Sequence, residues 1–229
     1  MYGNLLILSQ QFENRISNRL MSMKIHFFDL CVKSEPMSLM GIEVPGGASG
    51  HIEDYVDVCK KDDKTLLLVP HDNVDIRVVA AAVETTHPEF IKEFLVYTKS
   101  ADSDEKVAVL SLTVPPVNKD RKDLLEKAVN TYKDAYVNYV DVEKNLTKVK
   151  MAGYLDEATK EDKDEIEELF KNKSEEYKNS AQKAADDKIK EIEEAYQRYL
   201  EEKAQCEIEA DKLSSAINDE AANTLKMIE

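Results

Sequence analysis

The sequence predicts an α+β chain: an elongated antiparallel three-helix bundle carrying a small inserted α/β head rich in β-strands. Three observations predict it. Long stretches on either side of the middle repeat apolar residues every three or four positions, which is a helical period. The middle, residues 41–114, switches to short β-branched runs divided by turn clusters. A proline pair, Pro115 and Pro116, then stops the strand pattern directly before a long uninterrupted helical repeat.

The first helix is expected over residues 1–30, where Leu5, Leu8, Phe12, Ile16, Leu20, Met23, Phe27 and Leu30 form one apolar seam. The same stretch is poor in acids and carries Arg15, Arg19 and Lys24, a composition that also suits an organellar transit peptide. Its apolar period matches that of the later helices, so it is taken as a structural helix.

At Lys33-Ser34-Glu35-Pro36 the pattern changes. Strands are expected at residues 42–44, 55–59, 65–69, 94–98 and 107–114, with a short helix at 74–86 whose Ile76, Val79, Ala80 and Val83 share a face. Turns are expected at Pro45-Gly46-Gly47-Ala48-Ser49-Gly50, at 60–64 and at 100–104. The insert meets the helices twice, at Ser34-Glu35-Pro36 and Val114-Pro115-Pro116. These six residues are the expected hinge between rod and head.

After the prolines, Asn118 offers a side-chain oxygen to the free amides of a new helix, and Asp120 suits its positive end. Leu125, Ala128, Tyr132, Ala135, Tyr139, Val142, Leu146 and Val149 then alternate in steps of three and four. This heptad seam is expected to face partner helices over roughly 50 Å. The third helix is expected from about 156–159, with a seam at Ile166, Leu169, Tyr177, Ala181, Ala184, Ile192, Tyr196 and Tyr199. Lys173 and Lys188 interrupt that seam, where their aliphatic stems can lie along apolar surface. Beyond Cys206 the repeat weakens through Ile208, Leu213 and Ile217; this tail packs back, extends the helix or awaits a partner. The expected division is 1–34 and 114–205 for the bundle, 35–113 for the head and 206–229 for an extension.

Among 229 residues the net charge is −15, which opposes free nucleic acid and acidic membrane surfaces unless basic residues cluster locally. No apolar run is long enough to span a membrane. Cys31, Cys59 and Cys206 are scattered without a C-x-x-C spacing, as expected of idle or buried thiols in a reducing compartment.

The segment Val114-Pro115-Pro116-Val117-Asn118-Lys119-Asp120-Arg121-Lys122-Asp123-Leu124-Leu125 resembles the start of the second bundle helix in the ribosome recycling factor family. Met40-Gly41-Ile42-Glu43-Val44 and Lys64-Thr65-Leu66-Leu67-Leu68-Val69 look like that family's head strands. With the order of elements, the resemblance covers residues 12–205. It implies an L-shaped protein whose bundle grips large-subunit ribosomal RNA. It also implies a head that rotates, together with elongation factor G, to split post-termination ribosomes.

The resemblance further implies a row of arginines along the second helix, reaching RNA phosphates. Aligned without gaps from the proline pair, those positions hold Asn130, Val137, Asp141, Lys144 and Asn145, so only Lys144 keeps the charge. Beyond Val117 there are 20 Lys and Arg against 29 Asp and Glu. Each lost phosphate contact removes counterion release that favours binding. The remaining candidates for RNA contact are Arg121, Lys122, Lys133, Lys144 and Lys148; alternatively they are solvated residues paired with acids three or four positions away.

No enzyme is expected. His26, His51, His71 and His87 show no metal-ligand spacing with Cys59, so structural or solvated roles are expected, with no metal and no cofactor. The glycine-rich turn lacks a following Gly-Lys-Ser/Thr, and the acidic run at 161–168 suits a solvated helix start. Of Tyr132, Tyr136 and Tyr139, the first and third fall on the heptad seam, which favours packing over base stacking. Two functions follow. One is a divergent recycling factor, mitochondrial or of another organelle and otherwise cytoplasmic, that partners the large subunit and an elongation factor G-like GTPase in translation. The other is a repurposed, non-catalytic structural subunit of a larger mitochondrial protein complex.

Overall fold

The computed structural model describes residues 2–45, 50–100, 103–155 and 159–226. Most of the expected glycine-rich turn and the segment opening the third helix lie outside the described residues. The elements run α1 (Tyr2–Asp29), β1 (Glu43–Val44), β2 (Gly50–His51), β3 (Val56–Lys60), β4 (Thr65–Pro70), α2 (Ile76–Thr86), β5 (Ile91–Ser100), β6 (Ser103–Thr113), α3 (Lys119–Leu155) and α4 (Lys160–Lys226). The chain is α+β, an L of a long antiparallel bundle and a small head, each with its own core. The hairpin of β1 with β2 was not expected, because strands of two residues carry no period.

The bundle follows a different register from the heptad expected. Along α3 the buried positions are Leu125, Val129, Tyr136, Val140, Glu143, Thr147 and Met151, with Tyr132 half-buried. Leu125, Tyr136 and Thr147 are eleven apart, as are Val129, Val140 and Met151. The same interval relates Leu5, Ile16 and Phe27 on α1, and Phe170, Ala181 and Ile192 on α4. An eleven-residue repeat gives about 3.67 residues per turn, so the seam drifts more slowly across the helix than a heptad seam and in the opposite sense.

Ala135, Val142, Leu146 and Val149 therefore lie outside the core; Val149 is 74% exposed. Polar residues hold the core positions instead. Glu143 pairs with Arg15 of α1, and Thr147 Oγ1 donates to the Glu143 carbonyl at 2.8 Å. Fully buried Tyr136 donates its hydroxyl to the Ile16 carbonyl at 3.1 Å. The rings of Phe12 and Phe170 meet with centroids 5.0 Å apart. On α4, Lys188 does lie in the seam, its ammonium reaching Glu191 at 3.0 Å, and Lys173 reaches Glu13 of α1 at 3.0 Å. Arg19 lies over the Tyr139 ring, 5.7 Å from its centroid, so both arginines of α1 reach α3 from exposed positions at the rim of the bundle.

In the head, the antiparallel sheet runs β3-β4-β6-β5. Leu66 pairs with Leu112 and Leu68 with Leu110, turning four leucines onto one face. That face packs on Ile76, Val79 and Val83 of α2, and Asp75 caps this helix by accepting the Arg77 amide at 3.0 Å.

The crossings between bundle and head are anchored side by side on the turn after β3. Ser34 is buried; its amide donates to the Asp63 carbonyl at 2.9 Å and its hydroxyl to the Asp62 carbonyl. The Val114 amide donates to the Lys64 carbonyl at 2.8 Å. Asn118 caps α3 as expected, its Oδ1 accepting the Arg121 amide at 2.9 Å. Replacing Asn118 with Ala is expected to lower stability by about 1 kcal/mol in chemical denaturation, and with Asp to leave it nearly unchanged.

Past the head, α4 continues as helix. Every described side chain from 200 to 215 is exposed, including Ile208 at 49% and Leu213 at 65%. Of the three courses open to this tail, it extends the helix.

Candidate nucleic-acid interface

The five candidate cations lie along α3, but the fold gives them unequal freedom. Arg121 turns inward. Its Nη2 donates to the Cys31 carbonyl at 3.0 Å and its Nη1 to the Pro115 carbonyl, so it ties the end of α1 to the second crossing. Burial disfavours its charge and pushes its pKa below the usual arginine value. Two of its five N–H donors are thus engaged at the joint, where the side chain is half-buried.

Lys122 reaches across to Glu193 of α4 and lies 3.7 Å from Glu126, with its ammonium 4.9 Å from the Tyr196 ring centroid. The hydrogen bond to Glu193 holds its pKa above the ordinary lysine value. Lys133 lies 3.3 Å from the Asn130 side-chain oxygen and 3.5 Å from Asp134. Lys148 lies 3.3 Å from Glu167 of α4. Lys144 has no ion pair among the described residues. Exposed pairs of this kind contribute only about 0–1 kcal/mol, so a phosphate can compete for such a lysine.

The aligned positions Asn130, Val137, Asp141, Lys144 and Asn145 are exposed or half-exposed, so the edge that the resemblance marks does face outward. Asp141 accepts from Lys178 of α4 at 2.5 Å, which neutralises the reversed charge locally. The edge is therefore wet and nearly neutral rather than basic. Beside it, Val142, Leu146 and Val149 form an apolar stripe at helical spacing.

At the joint, ion pairs clasp the head to α4. Lys64 reaches Glu202 at 2.5 Å, Lys33 reaches Glu191 at 3.5 Å and Arg198 lies 4.0 Å from Asp63. A crevice of about 250 Å³ lies between Val32, Pro115, Pro116, Ala195 and Tyr199. None of these cross-joint partners shares a local sequence pattern with the residue it meets, so sequence periodicity carries no signal of them.

The histidines separate. His26 stacks on Tyr132 with ring centroids 4.9 Å apart, and exposed His71 lies 3.3 Å from Asp57, which holds its pKa above the usual histidine value. Cys59 is exposed. Buried His87 instead meets Cys31, a thiol that the spacing did not connect with it.

No model of a known protein family matches the sequence, and no curated protein matches it. Among solved structures, the chain is similar to a solution structure of the ribosome recycling factor, with a TM-score of 0.63 and 14% identity. The match covers 83% of this chain and 97% of that one. At that identity the likeness establishes architecture: this chain has the fold of a ribosome recycling factor.

Proposed function

We propose that the chain is a divergent, organellar recycling-factor-like protein that associates with the large ribosomal subunit. On this reading it assists the splitting of post-termination ribosomes together with an elongation factor G-like GTPase. It acts by binding and leverage, with no covalent chemistry of its own. The observation that carries the reading is the match over almost the whole length of a ribosome recycling factor, bundle and head together. The doubly anchored joint suits a head that turns as a unit, with Ser34, Glu35, Pro36, Val114, Pro115 and Pro116 as its hinge. Lys144 and Lys148, with Lys122 and Lys133 beside them, are the proposed contacts to RNA.

Sedimentation of a native extract tests the reading: the protein is expected to comigrate with ribosomes or large subunits. Failure to do so removes it. Changing Lys144 and Lys148 together to Glu is expected to weaken that association several-fold and flatten its salt dependence by up to about two phosphate contacts. Unchanged binding takes both lysines off the contact surface.

A second reading is favoured by the near-neutral edge, the apolar stripe Val142–Leu146–Val149 and the exposed end of α4. It makes the chain a structural subunit of a larger mitochondrial protein complex, with protein partners docking where RNA is gripped in the family. The same gradient then finds it in a ribosome-free assembly.

A further inference from the structure

Three chemically reactive side chains converge where the end of α1 meets the head. Cys31 lies just past α1, His87 terminates α2, and Glu89 sits in the loop before β5. The Cys31 Sγ is 3.8 Å from His87 Nδ1, and Nδ1 is 3.2 Å from a Glu89 carboxylate oxygen. The three atoms all lie within 4.8 Å of one another. Cys31 and His87 are buried, while the Glu89 side chain is 38% exposed.

The protonation of His87 follows from its other nitrogen. Nε2 lies 3.1 Å from the Ser38 carbonyl, which only accepts, so Nε2 carries the hydrogen. In the neutral ring Nδ1 is then a lone pair. That lone pair faces a carboxylate oxygen at hydrogen-bond distance, an arrangement that calls for a proton or a metal cation between them. A ring nitrogen fixed by a backbone carbonyl on its far side is also how metal-binding imidazoles are oriented. His87 is further held by its backbone amide, which donates to the Val83 carbonyl at 2.7 Å, and by stacking on Phe90 at 5.0 Å.

We propose that Cys31 Sγ, His87 Nδ1 and a Glu89 carboxylate oxygen form a binding site for a divalent cation of the zinc class. With metal–ligand distances near 2.0–2.3 Å, tetrahedral ligand atoms lie roughly 3.3–3.6 Å apart, close to the 3.8 Å and 3.2 Å that separate His87 Nδ1 from Cys31 and from Glu89, with the third pair inside 4.8 Å. A thiolate, an imidazole and a carboxylate together select zinc over calcium or magnesium, which take oxygen ligands. Thiolate and carboxylate neutralise the dication, and the exposed side at Glu89 leaves a fourth position for water. Burial pushes the Cys31 thiol up to about 11, so the metal-free site holds a proton on sulfur that the cation displaces. Because Cys31 follows α1 and the other two ligands belong to the head, the cation would staple head to bundle. The site is independent of whether the protein binds ribosomes.

The test titrates the metal-free full chain with cobalt(II) as a coloured stand-in for zinc, and follows thermal unfolding with zinc itself. One equivalent is expected to give a thiolate-to-cobalt charge-transfer band, and zinc to raise the melting temperature. Cys31→Gly is expected to abolish the band; it suits the backbone, since Cys31 has a φ of 44° that glycine adopts without strain. Glu89→Gln, at an exposed position, is expected to weaken binding by at least the roughly 10–100-fold lost with outer-shell partners. The double variant Cys59→Ser, Cys206→Ser is expected to keep the band in full. No band in the wild-type chain overturns the proposal and leaves Cys31 as a thiol donating to His87. So does a band that survives Cys31→Gly or vanishes with Cys59 and Cys206, or an affinity unchanged by Glu89→Gln.

Discussion

Truncating Tyr136 to Ala is expected to cost about 3–5 kcal/mol in urea unfolding, while Leu146→Ala and Val149→Ala stay within about 0.5 kcal/mol of the parent. The contrast follows from the register. Tyr136 is 1% exposed in the centre of the three helices, whereas Leu146 and Val149 are 49% and 74% exposed. A heptad seam predicts the reverse order, with Leu146 and Val149 in the core. Tyr136→Phe isolates the hydroxyl: it is expected to cost no more than about 1 kcal/mol, because the Ile16 carbonyl it leaves belongs to a helix that already engages it.

The second large effect is expected at the pair joining α1 to α3. Glu143 has a side chain only 7% exposed and meets Arg15, whose side chain is 42% exposed. Arg15→Leu leaves a buried carboxylate without its partner. Fully buried pairs broken in this way cost about 3–5 kcal/mol, and the partial solvation of Arg15 reduces the expectation here to about 2 kcal/mol. Changing both residues to Leu is expected to restore most of that loss, since an apolar pair of similar volume needs no desolvation. A double-mutant cycle by chemical denaturation reads the coupling directly. Additive losses would show that Arg15 and Glu143 act separately.

These two results bear on why the fold was legible while part of its register was not. The seam of α1 stood out because all eight positions are apolar, and each either lies in the bundle core or packs against it. The head strands stood out because β4 and β6 are dense in leucine and valine and bounded by turn residues. On α3 the apolar pattern misled, because Glu143 and Thr147 occupy core positions. A carboxylate is tolerated there only through Arg15, which lies 128 residues earlier. Read by apolar residues alone, the seam then slides onto Val142, Leu146 and Val149. Tyr132 and Tyr139 do pack against the core from its rim, as their seam positions predict, but the heptad missed Tyr136 at its centre.

The candidate interface was legible as a charge count but not as a geometry. That the positions marked by the resemblance hold a single cation could be counted along α3; that Asp141 is answered by Lys178, or Lys148 by Glu167, depends on how α4 packs alongside. Arg121 looked like a surface cation because its neighbours are charged, yet it serves two backbone carbonyls. Cys31 and His87 were passed over for a related reason. They are 56 residues apart, and only the docking of head on bundle brings them together.

The claim that binds these observations is our proposal that a chain with the fold of a ribosome recycling factor meets the ribosome through a nearly neutral edge carrying few cations. Equilibrium binding to purified large ribosomal subunits, measured across a salt series, tests it most directly. The account predicts association whose logarithm falls with log salt at a slope no steeper than about −4, the share of the four lysines Lys122, Lys133, Lys144 and Lys148. A markedly steeper slope would show a strong electrostatic grip and contradict an edge of few cations; no binding at any salt would contradict the proposed ribosomal role.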